Sequence, residues 1–122
     1  MKFSFLVTLL VIGAATATHV RFTNRCGHGI SVIRTENGRA PVEQAYLNPG
    51  HSSSGHFGSN GMNFKNGWEG KTLAEFSFNG WNQMDFYDLS VIVGYDTPMR
   101  IETDKGGPTV TCEYVGLHTA LL

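Results

Sequence analysis

The sequence predicts an all-β fold, an antiparallel sandwich or barrel, on three observations. Short runs with two-residue alternation or β-branched content recur along the chain, turn signals separate them, and almost no segment is free enough of Gly and Pro to hold a helix. The 122 residues allow one domain. An apolar share of 41% with 11% aromatics is too high for a disordered chain, and the 15 glycines follow no three-residue period.

In chain order, the predicted strands run over residues 19–24, 30–35, 42–47, 72–78, 89–93, 99–103 and 109–115. Four Asn-Gly dipeptides, at Asn37-Gly38, Asn60-Gly61, Asn66-Gly67 and Asn79-Gly80, suit the positive φ of tight hairpin turns. In the fourth strand Thr72, Ala74, Phe76 and Phe78 share one face, which leaves Leu73, Glu75 and Ser77 on the other. Residues 50–70 are rich in Gly, Ser, Asn and His and read as loops with at most short strands. Residues 81–93 are the one stretch with room for more than two helical turns, and their β-branched end argues against a helix. Pro98 presets a turn and ends a strand.

The N-terminus has the order of a secretory signal peptide. Met1-Lys2 is basic, residues 3–12 are apolar, and the small residues Gly13-Ala14-Ala15-Thr16-Ala17 follow, with cleavage expected after Ala17. The apolar run falls short of the ~20 residues that span a bilayer. The expected mature chain is therefore a single secreted domain of residues 18–122, without a transmembrane segment. Nine Lys and Arg balance ten Asp and Glu without any basic cluster, which argues against nucleic acid as a partner. An oxidising compartment lets Cys26 and Cys112 pair, and a bridge closing so long a loop contributes about 4 kcal/mol on chain-entropy arithmetic. Nothing around either cysteine suggests a nucleophile.

Glu75 leads the candidate chemistry. Asp85 and Asp88 follow the next turn, and carboxylates on neighbouring antiparallel strands can face each other across a groove, as the acid and base of a glycosidase do. Trp81, Phe86 and Tyr87 add flat apolar surface suited to sugar rings. The plainer reading is that these are solvated surface groups. His28, His51 and His56 sit in Gly- and Ser-rich loops and lack the ordered third ligand a metal needs, so no metal site or other cofactor is expected. Ser52, Ser53 and Ser54 lack a nucleophile-elbow pattern.

Thr72-Leu73-Ala74-Glu75-Phe76-Ser77-Phe78-Asn79, then Asp85-Phe86-Tyr87-Asp88-Leu89-Ser90, then Gly94-Tyr95-Asp96-Thr97-Pro98-Met99, closely resembles the thaumatin-like family. Val20-Arg21-Phe22-Thr23-Asn24-Arg25-Cys26 is similar to the family's first strand, and Leu47-Asn48-Pro49-Gly50 to one of its turns. Val110-Thr111-Cys112-Glu113-Tyr114-Val115 resembles the strand that closes its central sandwich. The resemblance implies that β-sandwich without the disulfide-rich loop domains of longer members. It does not supply a Cys26–Cys112 pairing, since the family's first cysteine pairs elsewhere.

Many members carry an acidic cleft made of an arginine, a glutamate and three aspartates. Glu75 matches the glutamate and Asp88 one aspartate; Val93 stands where the next aspartate falls, and Lys65 is a weak substitute for the arginine. The resemblance thus implies a secreted defence protein of the pathogenesis-related class, expected as a monomer, that holds β-1,3-glucan-type polysaccharide at a groove of Glu75, Asp85, Asp88, Trp81, Phe86 and Tyr87. Two alternatives are a weak endo-β-1,3-glucanase with Glu75 as acid and Asp88 as nucleophile or base, and a protein-binding sandwich with a vestigial cleft.

Overall fold

The computed structural model describes residues 17–113; residues 1–16 of the expected signal peptide, and Tyr114 and Val115 of the last expected strand, lie outside the described residues. Within them the chain forms nine strands: β1 (Thr18–Thr23), β2 (Ile30–Glu36), β3 (Val42–Leu47), β4 (Ser52–Phe57), β5 (Asn60–Asn66), β6 (Leu73–Ser77), β7 (Phe86–Ser90), β8 (Met99–Ile101) and β9 (Val110–Cys112). A single 3₁₀ turn, Trp81–Gln83, separates β6 from β7. The fold is all-β and every pairing is antiparallel. No helix among the described residues is long and apolar enough to cross a membrane.

The main layer is a five-stranded sheet in the order β3-β2-β5-β6-β7, and the two-stranded sheet β1-β4 covers one of its faces. Alternation builds the interface between them. Val20 and Phe22 of β1 and Phe57 of β4 meet Val32, Met62, Phe64, Ala74 and Phe76 of the larger sheet, with Ile30, Leu47 and Phe78 around them. The aromatic rings pack mostly edge to face, with Phe22 and Phe64 centroids 4.7 Å apart and Phe57 and Phe64 5.3 Å apart. At one margin Arg34 lies over the Phe57 ring, pairs with Glu36 at 3.3 Å and donates to Gln44 Oε1, while the Ser59 hydroxyl also donates to Glu36. The hairpin β8-β9 abuts β7, where the Tyr87 hydroxyl donates to the Pro108 carbonyl at 2.5 Å.

The Ser- and Gly-rich segment departs from the sequence expectation, since residues 52–57 and 60–66 are two full strands rather than loops. Composition hid them because the outward positions of β4 are Ser52, Ser54 and His56, which solvent accepts, while Gly55 faces inward for lack of room. A Cβ on Gly55 would stand 2.8 Å from the Phe57 ring. Asn60-Gly61 is likewise no hairpin turn: it lies inside β5, where Gly61 at φ 99° accompanies a shift of register against β6. The strand expected over residues 89–93 sits earlier, at Phe86–Ser90, because that register lets Leu89 bury completely and leaves Ile92 and Val93 exposed.

Candidate functional site

The register of the β6-β7 pair builds the site. Glu75 stands directly opposite Asp88, and Ser77 opposite Phe86. Ala74 and Phe76 turn to the core, so Glu75, Ser77, Phe86 and Asp88 share the face of the sheet that β1-β4 does not cover. A broad connection holds this register. Asn79 takes a left-handed conformation at φ 53°, the Gly80 amide donates to the Met84 carbonyl at 2.8 Å, and Asn82 and Gln83 are also left-handed.

Glu75, Phe76, Ser77, Phe86 and Asp88 line a shallow groove of about 150 Å³. Partial burial raises the Glu75 carboxyl above its ordinary value, and Asp88 raises it further through a side-chain hydrogen bond and charge repulsion. The groove therefore sets two facing carboxyl groups beside the half-exposed ring of Phe86 within one small surface.

The remaining candidates go elsewhere. The Asp85 carboxylate accepts from the Asn79 amide at 2.8 Å and from the Thr18 hydroxyl at 2.7 Å, so it closes the turn and ties β1 to it. Tyr87 is opposite Phe76 in register and spends its hydroxyl on Pro108, on the other face from Glu75. Trp81 is 77% exposed in the 3₁₀ turn and does not line the groove. Lys65 shares the face of Glu75 but makes no ion pair among the described residues. Val93 is exposed, beyond the end of β7. Ser77, which does line the groove, was not among the sequence candidates, although its place two residues after Glu75 on a strand was a sufficient signal.

Cys26 and Cys112 are free thiols, which corrects the expected bridge. Asn24 holds the loop that carries Cys26: its side-chain oxygen accepts from the Cys26 amide at 2.8 Å, and its amide group donates to the carbonyls of His28 and Leu47. Cys112 is fully buried at the end of β9, and burial pushes its thiol up. Burial first, then the neighbours Cys112, Glu113, Cys26 and Asp96, push up the Tyr95 phenol. His28 and His51 are exposed in loops, whereas His56 stands in β4 directly across from His19, a residue the sequence reading passed over. No group of three or more His, Cys, Asp or Glu that could hold a metal ion occurs among the described residues.

Comparison with known proteins agrees with this architecture. The family model of the Thaumatin family matches residues 38–121. A thaumatin-like protein of Oryza sativa subsp. japonica is 33% identical over 133 aligned positions, which cover 88% of this chain and 73% of the rice protein. An osmotin-like protein of Nicotiana tabacum is 47% identical over 37 residues, 30% of this chain and 15% of its own length. A thaumatin-like protein of Actinidia deliciosa is 40% identical over 38 residues, 31% of this chain and 17% of its own. No solved structure matches.

Proposed function

Because the chain belongs to the Thaumatin family, we propose that it is a secreted defence-type protein that binds polysaccharide of the β-1,3-glucan kind in the groove of Glu75, Asp88, Ser77 and Phe86. The observation that carries this reading is the cross-strand pair Glu75–Asp88 beside the exposed Phe86 ring. Carboxyls accept and donate hydrogen bonds to sugar hydroxyls, and a flat ring covers the apolar face of a pyranose. The groove is small and open, which suits contact with one or two residues of a surface polymer rather than capture of a free oligosaccharide.

A second reading, hydrolysis, is favoured by the raised Glu75 carboxyl, which is the property required of a general acid. Asp88, directly opposite on β7, would then be the nucleophile or base, and the stereochemistry of the product would separate the two roles.

Sedimentation of the protein with insoluble β-1,3-glucan, with reducing sugar assayed in the supernatant, tests both. Binding lost in the Glu75→Gln/Asp88→Asn double variant supports the groove. Sugar release abolished by Glu75→Gln supports hydrolysis. A folded protein that neither binds nor releases sugar overturns both and favours a protein-binding sandwich.

A further inference from the structure

The outer face of the two-stranded sheet, turned away from the core, carries a second polar surface. In β1 the side chains alternate, so that Val20 and Phe22 enter the core while His19, Arg21 and Thr23 point to solvent. In β4 the outward residues are Ser52, Ser54 and His56. The antiparallel register sets His19 against His56, Arg21 against Ser54 and Thr23 against Ser52.

These side chains converge. The two imidazole centroids are 5.0 Å apart and tilted. One Arg21 amino group reaches the Ser52 hydroxyl at 3.4 Å, and the Thr23 and Ser52 hydroxyls are hydrogen-bonded at 2.9 Å. Because the serines are short and the flanking His and Arg are long, the face is concave: His19, Arg21, Ser52, Ser53 and Ser54 line a hollow of about 340 Å³. No carboxylate is among the outward residues of β1 and β4, and Arg21 makes no ion pair among the described residues. A guanidinium, the His19 imidazole and serine hydroxyls line this hollow without a carboxylate, and the His56 ring packs against His19 beside it, so the donors there await an acceptor.

We propose that this face binds a tetrahedral oxyanion of the phosphate or sulfate class, free or carried as an ester, with Arg21 as the charged anchor, the His19 imidazole N–H, backed by the His56 ring, on one side and the Ser52 and Ser54 hydroxyls on the other. The guanidinium fork matches two oxygens of such an anion, and hydroxyl and imidazole donors take the rest. The hollow is larger than one such anion, which leaves room for the group that carries an ester. A facing pair of histidines is also the start of a divalent metal site, but Arg21, two residues from His19 on the same face, repels a dication there, and no third ligand of the His, Cys, Asp or Glu kind joins the pair among the described residues.

The test is an NMR titration of the native protein at fixed pH and ionic strength, reading the His19 and His56 side chains and the Arg21 Nε–H group, with inorganic phosphate, glucose 6-phosphate and zinc chloride as separate probes. Saturable shifts of all three side chains with phosphate or with the sugar phosphate are expected, weakened at least tenfold in Arg21→Gln. His19→Gln provides the same comparison, read on Arg21 and His56, where the first variant does not fold. Tighter binding of the sugar phosphate than of inorganic phosphate assigns the site to an ester; equal binding assigns it to the free anion. Shifts that do not saturate, binding unchanged in both variants, or saturation by zinc alone overturns the proposal. The site is independent of the groove at Glu75, so neither result bears on the other.

Discussion

Asp96 and Thr72 exchange hydrogen bonds in both directions. The Asp96 carboxylate accepts from the backbone amides of Lys71 at 2.8 Å and Thr72 at 3.1 Å, and the Thr72 hydroxyl accepts from the amides of Asp96 at 2.9 Å and Thr97 at 3.2 Å. Thr72 is fully buried. The exchange pins the segment after β7 to the residue that leads into β6, so the strands that carry Asp88 and Glu75 are tied together beyond their own ladder. Its polar groups are satisfied locally, as burial requires.

Asp96→Ala leaves two amides without their acceptor and is expected to destabilise the fold by about 2 kcal/mol, the scale for hydrogen bonds to a charged group. Chemical denaturation at neutral pH checks this. Burial alone would raise the Asp96 carboxyl, but the amides of Thr72 and Lys71 and the hydroxyls of Thr72 and Thr97 outweigh it and hold the group below its ordinary value. A carboxyl lowered in the folded state stabilises above its unfolded pKa, and the contribution is lost as pH falls through the folded one. Asp96→Asn is therefore expected to flatten the acid side of the stability profile.

Glu75 titrates in the opposite sense. Its carboxyl is raised, by burial and then by Asp88, so its contribution to stability is greatest below the unfolded pKa and is lost as pH rises through the folded one. Asp88→Asn removes the like charge and is expected to bring the Glu75 titration, followed by carboxyl ¹³C NMR, back towards the ordinary carboxylate range. At neutral pH Glu75→Gln is expected to stabilise the fold by about 0.5 kcal/mol, the scale for like charges set directly opposite on a sheet. An unmoved Glu75 titration in Asp88→Asn would sink the coupling.

The two thiols are expected to differ in reactivity. Cys26 is partly exposed, whereas Cys112 is buried and its thiol is pushed up, so the reactive thiolate is scarce and shielded. A thiol-specific disulfide reagent should modify Cys26 first in the native protein and reach Cys112 only on unfolding.

Leu89 is fully buried between Asp88 and Ser90, so Leu89→Ala is expected to cost about 2–5 kcal/mol and to loosen β7. Gly55→Ala places a methyl 2.8 Å from the Phe57 ring, which must shift within the Phe22–Phe57–Phe64 cluster. A lowered midpoint of thermal unfolding for both variants checks these two contacts.

Local pattern was enough to determine the all-β class, the strand β6 with Glu75 on the face opposite Phe76, and the turn at Asn37-Gly38, because each depends only on two-residue alternation or on the positive φ that Gly accepts. It was also enough to show the family motifs around Glu75 and Asp88. It did not show β4, because a run such as Ser52-Ser53-Ser54-Gly55-His56 is a strand only when β1 lies beside it to take its backbone hydrogen bonds and Phe57 folds over Gly55. Nor did it separate Asp85 and Tyr87 from the groove. Their neighbours in sequence line it, but a strand turns alternate side chains to opposite faces, and partners distant in sequence, Thr18 and Pro108, claim those two. The facing of His19 and His56 across 37 positions of chain belongs to the same class: register between strands is a property of the packed sheet, and tertiary structure alone decided it.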